Sequence, residues 1–426
     1  MFGPKSHLTA RKGHLFLEDV DLIGLAEKFG TPLYATSEAR LRANISAYHG
    51  AFPDADKYFA VKANGNLTVL RIAAQEGMGA DVFSLGELYV ARLAGVPKER
   101  ILYNGNSKSE ADHRMALQAG VRMSVDSREE LEYLSKTARD LGREAEILFR
   151  VNPDVSPKTH PKIATGLRTS KFGIPAEQVA GTYQRAVGLA GIKPLGLHCH
   201  IGSQILDVSP FVEAMKKMMD IAGAVVAAGC EIGIIDIGGG LGIQYNPDAP
   251  APTPADLAAG VLPVFKERCY ELGIAPKLIL EPGRSIVADT TVMLTRVNVV
   301  KRAHVNFAAC DAGFNVLARP MLYDSYHHVL VANRAGSPAE ETYTVVGPIC
   351  ETGDVLAKER LLPKLERGDV LAFLDAGAYG FSMASQYNGQ PRPAEVLVFG
   401  GEAELTRRAE DPSALLAGQR IPARLI

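Results

Sequence analysis

The chain lacks most of the features that would direct it to a membrane, a nucleic acid or an oxidising compartment. Its 426 residues include five cysteines, Cys199, Cys230, Cys269, Cys310 and Cys350, scattered with no CxxC spacing. That argues against a disulfide framework or a structural zinc site, and it fits a reducing compartment. No run is long and apolar enough to span a bilayer, and Met1-Phe2-Gly3-Pro4-Lys5-Ser6-His7 has no apolar signal core. A cytoplasmic location is therefore expected. Neither sign of charge dominates: 46 Lys and Arg stand against 48 Asp and Glu, a formal net charge of -2. Nucleic acid and membrane are accordingly not expected as partners. There is no internal repeat and no low-complexity linker. What is present is ordinary globular composition, 47% hydrophobic and 22% charged, with apolar material for two cores and a length that suggests two domains.

From about residue 30 the chain alternates strand and helix. Strands are expected at 58–63, 79–83, 101–103, 122–125, 146–151, 194–200, 233–237 and 277–280. Helical patterns fall between them, for example 84–94, 110–119, 128–141, 176–190 and 208–228, and an extra helix at 38–51 precedes the first strand. Eight βα repeats imply a (β/α)8 TIM-type barrel, with an open doubly wound sheet as the alternative. After Pro282 the texture becomes β-rich, at 292–300, 306–309, 328–332, 342–346, 370–374 and 395–399, and long helical patterns are absent until the tail. The expected organisation is α/β plus all-β: a barrel over 30–281 and a second, mostly β-stranded barrel or sandwich from 1–29 and 282–426. His14-Leu15-Phe16-Leu17 would add an edge strand to the latter. The stretch 249–254 is expected as a surface loop. So is the polar segment 153–172 with Lys158, His160, Lys162, Arg168 and Lys171, with closure over a site as the alternative to a solvated loop.

A barrel gathers its site where strands end and βα loops begin. Lys62 stands at the end of the first strand in the apolar run Tyr58-Phe59-Ala60-Val61-Lys62. A lysine in apolar surroundings loses its charge readily and becomes a nucleophile, the property of a Schiff-base lysine; a lone lysine is otherwise a solvated side chain. His198 and His200, at i and i+2 after the sixth strand, would share one face. They read as a metal pair lacking a third ligand, as packing, or as an imidazole stacked on a flat ring with Ser203 near a phosphate. Gly238-Gly239-Gly240 after the seventh strand can expose amides to a phosphate, although glycines in a tight turn are common. Glu281-Pro282-Gly283-Arg284 after the eighth strand puts a carboxylate and a guanidinium where they suit a site better than packing, the alternative being an exposed salt-bridged turn, and Gly283 would admit a phosphate to the backbone. A nucleophilic lysine, a stacking ring, a phosphate nest, a carboxylate and a guanidinium match pyridoxal 5'-phosphate. A carboxylate at the ring nitrogen favours decarboxylation.

These motifs resemble those of the group IV, fold-type III pyridoxal-phosphate decarboxylases, most closely the diaminopimelate-specific branch, over nearly the whole chain. The resemblance implies an alanine-racemase-like barrel, with Lys62 as the Schiff-base lysine and His200 as the stacking ring. Ser203 and Gly238–Gly240 would contact the phosphate, and Glu281 the ring nitrogen. Asp81 and Ser84 match a segment lining the cofactor region. Cys350 in Gly347-Pro348-Ile349-Cys350-Glu351 would be the proton donor, and Glu351 would bind substrate. Arg319 and Tyr323 belong to a substrate-binding segment, and Tyr379 to one that meets cofactor phosphate and substrate. No metal is implied. The implied assembly is a homodimer whose two active sites are shared between subunits.

The implied reaction converts meso-2,6-diaminopimelate to L-lysine and CO2, as the last step of lysine biosynthesis. The distal end of that substrate carries an ammonium, suited to Glu351, and a carboxylate, suited to Arg284 and Arg319. Alternatives are a decarboxylase of carboxynorspermidine, ornithine or arginine on the same fold, an amino-acid racemase, and a non-enzymatic pyridoxal-phosphate carrier.

Overall fold

The computed structural model describes residues 7–155 and 170–426. The chain forms two compact units, one of Arg42–Gln244 and Ala249–Ile286, the other of Met1–Leu41, Tyr245–Asp248 and Val287–Ile426.

The first unit is a closed barrel. Its strands are β1 (Asp56–Ala60), β2 (Gly79–Val82), β3 (Ile101–Tyr103), β4 (Arg122–Val125), β5 (Ala145–Asn152), β6 (Ile192–His198), β7 (Ile234–Asp236) and β8 (Lys277–Leu280). Each pairs in parallel with the next, and β8 returns to β1 through Ile279↔Asp56 and Leu280↔Lys57. Helix boundaries follow local chemistry. Ser109 and Asp112 make a reciprocal capping box at Glu110–Ala119, Ser127 caps Arg128–Asp140, and Thr253 with Asp256 caps Pro254–Leu272. Two of these helices end on left-handed glycines, Gly120 and Gly273.

The barrel interior is layered because alternate residues of a strand face the same way. An apolar layer holds Tyr58, Leu102, Leu148, Ile234 and Ile279. Gly79 makes room for it: a Cβ there would sit 2.5 Å from the Tyr58 ring. Two residues further toward the carboxyl ends the same inward face carries Asn104, Arg150, Asp236 and Glu281, and Asp81, Ser124 and His198 complete a buried polar ring. This ring floors the rim where a barrel places its chemistry.

Two strand ends differ from expectation. β1 stops at Ala60, and Lys62 lies in a single 3-10 turn, Val61–Ala63, because the chain must turn at the rim to reach its helix. β6 stops at His198, so His200 is in the following loop and the two histidines do not share a strand face.

The second unit is built on a nine-stranded mixed sheet. Its centre is Leu33–Ser37, antiparallel to Thr291–Arg302 and parallel to Ala394–Phe399. Both faces are covered. Leu33, Ala35, Val292, Leu294, Val370 and Ala372 pack on one side, while Tyr34, Met293, Leu371 and Phe373 pack on the other. His14–Leu17 is not an edge of this sheet. It is the middle strand of a separate three-stranded meander whose Leu15 and Leu17 pack on the first face. The tail beyond Glu402–Arg407 contains 3-10 turns, Pro412–Leu416 and Ala423–Leu425, and no long helix. All five cysteines are unpaired. No helix of the described residues is long and apolar enough to cross a membrane.

Candidate active site

Lys62 is not in apolar surroundings, contrary to expectation. Its Nζ lies 2.5 Å from Asp81 Oδ2 and 4.5 Å from the centre of the Phe83 ring. Asp81 is fully buried, while the Lys62 side chain keeps 31% exposure. An opposite charge at this distance favours the ammonium form. The amine is thus held in place at the rim by an acid.

Asp81 is one of three buried carboxyls. Asn104 Nδ2 donates to Asp81 Oδ1 at 2.6 Å and to Glu281 Oε1 at 2.9 Å, tying β2 to the residue after β8. His198 Nε2 lies 3.3 Å from Glu281 Oε2, close enough for electrostatic attraction but not aligned as a hydrogen bond. On its other side His198 Nδ1 shares a 2.8 Å hydrogen bond with Ser124 Oγ. Burial and then the charge of Glu281 push the Asp236 carboxyl well above the usual range. Asp81 is raised by the same two causes, opposed by Lys62. For Glu281, burial pushes upward, but His198 and then Lys62 outweigh it and hold the carboxyl at about 2. The surroundings therefore favour the charged form of Glu281 and disfavour that of Asp236. His198, Asp236 and Glu281 each bring a ligating atom within 4.8 Å of the others, so the further metal-type ligands not apparent beside His198 in the sequence come from β7 and the end of β8.

His200 follows β6. Gly239 N–H donates to its Nδ1 at 3.2 Å, so that nitrogen is an acceptor and the ring proton sits on Nε2. Burial, Lys62 and Arg150 all disfavour its cation, leaving a neutral flat ring. The glycine loop is only partly open. Gly238 N–H donates to Asp236 Oδ1 at 2.8 Å and Gly239 N–H to His200, whereas Gly240 N–H has no acceptor among the described residues. Gly240 also has to be glycine: its φ is +117°, and a Cβ would stand 2.4 Å from Gly202 O. Arg284, nearly buried, donates to Ser203 Oγ from Nη2 at 3.0 Å and from Nε at 3.3 Å. Gly283 packs against the end of β1, where a Cβ would lie 2.9 Å from Ala60 Cβ.

These groups fit pyridoxal phosphate. His198 Nε2, Asp236 Oδ2 and Asn104 Oδ1 are buried without hydrogen-bond partners among the described residues. Such orphaned groups are costly unless something polar meets them. Beside them stand an ionised carboxylate able to accept a ring N–H, a neutral imidazole face, and an amine on the same rim. Ser203, Arg284 and Gly240 N–H supply the donors a phosphate requires.

The second unit presents its own cluster. Asp354, buried, accepts from Ile349 N at 2.8 Å and from Phe314 N at 2.6 Å. It thereby pins the turn that exposes Cys350 and Glu351. Cys350 Sγ donates to Asn388 Oδ1 at 3.4 Å, and Tyr387 OH donates to Glu351 Oε1 at 2.7 Å. That bond to Glu351 raises the Tyr387 hydroxyl to about 12. Arg319 is buried beneath the Tyr245 ring, Tyr323 is half-buried, and Tyr379 is half-buried with φ +56°.

Several polar neighbours were not singled out from sequence: Asn104, Ser124, Arg150 and Tyr387. Their signal was present, since Asn104, Ser124 and Arg150 sit at or just past strand ends where an apolar residue would pack. Ser84 is occupied as a helix cap, accepting from Glu87 N. Of the polar loop 153–172, Lys158, His160, Lys162 and Arg168 lie outside the described residues, while Lys171 lies 5.0 Å from the Phe172 ring centre.

The profile described as pyridoxal-dependent decarboxylase, pyridoxal binding domain, matches residues 38–288. A diaminopimelate decarboxylase of Archaeoglobus fulgidus is 57% identical over 96% of this chain and 98% of its own length. One from Methanothermobacter thermautotrophicus is 46% identical over 97% of each chain. The crystal structure of diaminopimelate decarboxylase from M. jannaschii in complex with L-lysine superposes with a TM-score of 0.94, at 39% identity and 99% coverage of both chains.

Proposed function

The chain belongs to the pyridoxal-dependent decarboxylases, among the diaminopimelate decarboxylases, and on that premise we propose which of its groups take CO2 from meso-2,6-diaminopimelate to leave L-lysine. Bound pyridoxal phosphate supplies a ring that accepts the electron pair left when the α-carboxylate departs. The observation that carries the assignment is Glu281, held between Asn104 and His198 with its carboxyl drawn down by His198 and Lys62. A carboxylate there keeps a ring nitrogen protonated, which favours decarboxylation over racemisation.

Lys62 Nζ is the attachment point, and Asp81 holds it at the rim. His200 covers one face of the ring. Ser203, Gly240 N–H and Arg284 bind the phosphate, Tyr379 adds a hydroxyl, and Gly238, Gly239 and Gly283 shape the backbone around it. The groups of the second unit act on the amino acid. Cys350 Sγ–H gives its proton to the α-carbon after CO2 leaves. Glu351 takes the distal ammonium. Arg319, with Arg284, takes the distal carboxylate, which a planar guanidinium grips in bidentate fashion, and Tyr323 lines this end.

The working unit in this reading is a homodimer in which the β unit of each copy, with Cys350 and Glu351, serves the other copy. The exposure of both residues in the single chain supports it. A cytoplasmic setting accords with five unpaired cysteines, one of them an exposed proton donor. Turnover of a panel of meso-diaminopimelate, ornithine, arginine and carboxynorspermidine tests the substrate. Efficient CO2 release from meso-diaminopimelate alone is expected, and preference for any of the others overturns the assignment.

A further inference from the structure

Arg319 opens a short helix, Arg319–Tyr323, yet only 3% of the residue is exposed. A buried guanidinium has five donors and needs acceptors or a π-face around it. The groups around it include three. Arg319 Nη1 donates to His327 Nε2 at 2.8 Å, Nη2 donates to Ser325 Oγ at 3.3 Å, and the guanidinium carbon lies 4.3 Å from the Tyr245 ring centre. His327 is fully buried. Its Nδ1 lies 2.8 Å from the Leu374 carbonyl oxygen, and its ring meets Tyr245 edge-on at 5.4 Å.

The two hydrogen bonds fix the state of this histidine. A carbonyl can only accept, so Nδ1 carries the proton; a guanidinium can only donate, so Nε2 offers its lone pair. The ring is neutral. A neutral acceptor fixes the direction of the guanidinium without cancelling its charge, and the face of Tyr245 does the same. A carboxylate in the place of His327 would form a fork-to-fork pair and compete with any carboxylate ligand for the same N–H groups.

We propose that His327 is a positioning residue for specificity: its neutral Nε2, backed by the Leu374 carbonyl, aims Arg319 at the distal carboxylate of the substrate. The proposal rests on the reading of Arg319 as the carboxylate-binding residue.

Two substitutions separate the two edges of the imidazole. His327→Asn keeps an N–H near Nδ1 for Leu374 but is too short to accept from Arg319. His327→Gln carries an acceptor out to the position of Nε2. Steady-state kinetics on meso-diaminopimelate should show KM raised roughly tenfold in the Asn variant, the scale of one hydrogen bond to a charged group, with kcat little changed. Inhibition by L-lysine, which retains the distal carboxylate, should weaken by a similar factor. Inhibition by 1,5-diaminopentane, which lacks it, should be unchanged at concentrations that inhibit the parent. The Gln variant should recover most of the loss. Equal weakening toward L-lysine and 1,5-diaminopentane, or an Asn variant that behaves as the parent, overturns the proposal. Arg319→Leu distinguishes the two levels of the reading. If it leaves the preference for L-lysine over 1,5-diaminopentane unchanged, the carboxylate role of Arg319 fails. If it abolishes that preference while His327→Asn does not, only the role of His327 fails.

Discussion

Lys62 Nζ and Asp81 Oδ2 stand 2.5 Å apart at the mouth of the barrel, one side chain partly exposed and the other fully buried. The carboxylate holds the amine as its ammonium, whereas covalent attachment of an aldehyde needs the free amine. Replacing Asp81 with Asn removes that hold. The pH at which half of the added pyridoxal phosphate becomes covalently attached should move down, by about one unit per 1.4 kcal/mol of lost attraction. Absorbance titrations of parent and Asp81→Asn across pH 6 to pH 9 measure it, and an upward shift would contradict the pairing.

Asn104 donates to Glu281, and His198 and then Lys62 draw its carboxyl down against the effect of burial. Glu281→Gln keeps the shape and loses the charge. One charge-assisted hydrogen bond is worth about 1.5–3 kcal/mol, so kcat should fall roughly tenfold to a hundredfold while Lys62 still attaches the cofactor. Retention of full kcat would remove Glu281 from the reaction.

Burial and the charge of Glu281 raise the Asp236 carboxyl in the fold well above its ordinary value of 3.8. Above that pH the folded chain binds more protons than the unfolded one, so stability falls with rising pH until Asp236 ionises in the fold as well. Asp236→Asn resembles the protonated side chain and still accepts from Gly238 N–H. The cofactor-free variant should match the parent in thermal unfolding near pH 4 and become the more stable of the two as pH rises. A gap that closes with rising pH would mean Asp236 is ionised in the fold.

Much of the site was legible in the letters because βα repeats put strand ends on one rim. Lys62, the Gly238–Gly240 loop and Glu281 each follow an apolar strand, and the two charged side chains have no packing role to explain them there. The inner polar ring was harder to see. Asn104, Ser124 and His198 become one network only when closure of β8 on β1 brings distant strands together, and a single strand end gives no sign of which neighbour it faces. The same reason hid Leu33–Ser37. It is five residues long, its partners Thr291–Arg302 and Ala394–Phe399 lie near the other end of the chain, and it is central only once they pair. His327 carried an ambiguous signal, since Tyr326-His327-His328 contains one fully buried and one half-buried imidazole. His200 was expected on a strand face. The strand ends two residues earlier because the loop turns to bring Nδ1 to Gly239 N–H.

Cys350 and Lys62 lie in different units of the chain. If each β unit serves the other copy, Lys62→Ala and Cys350→Ala homodimers are each nearly inactive, and the Cys350 variant retains its cofactor absorbance. Unfolding and refolding an equal mixture should then restore about a quarter of parent activity, because half the dimers are mixed and each mixed dimer holds one intact site. No recovery on mixing would contradict the shared site.

Product analysis with pure stereoisomers tests the assigned reaction itself. The purified chain, with and without pyridoxal phosphate, is given meso-, LL- or DD-diaminopimelate while CO2 and the configuration of lysine are followed. The assigned reaction gives equimolar CO2 and L-lysine from the meso isomer, dependent on the cofactor, and no L-lysine from the LL isomer. Absence of CO2 from meso-diaminopimelate with the cofactor bound, or interconversion of isomers without CO2, would contradict it.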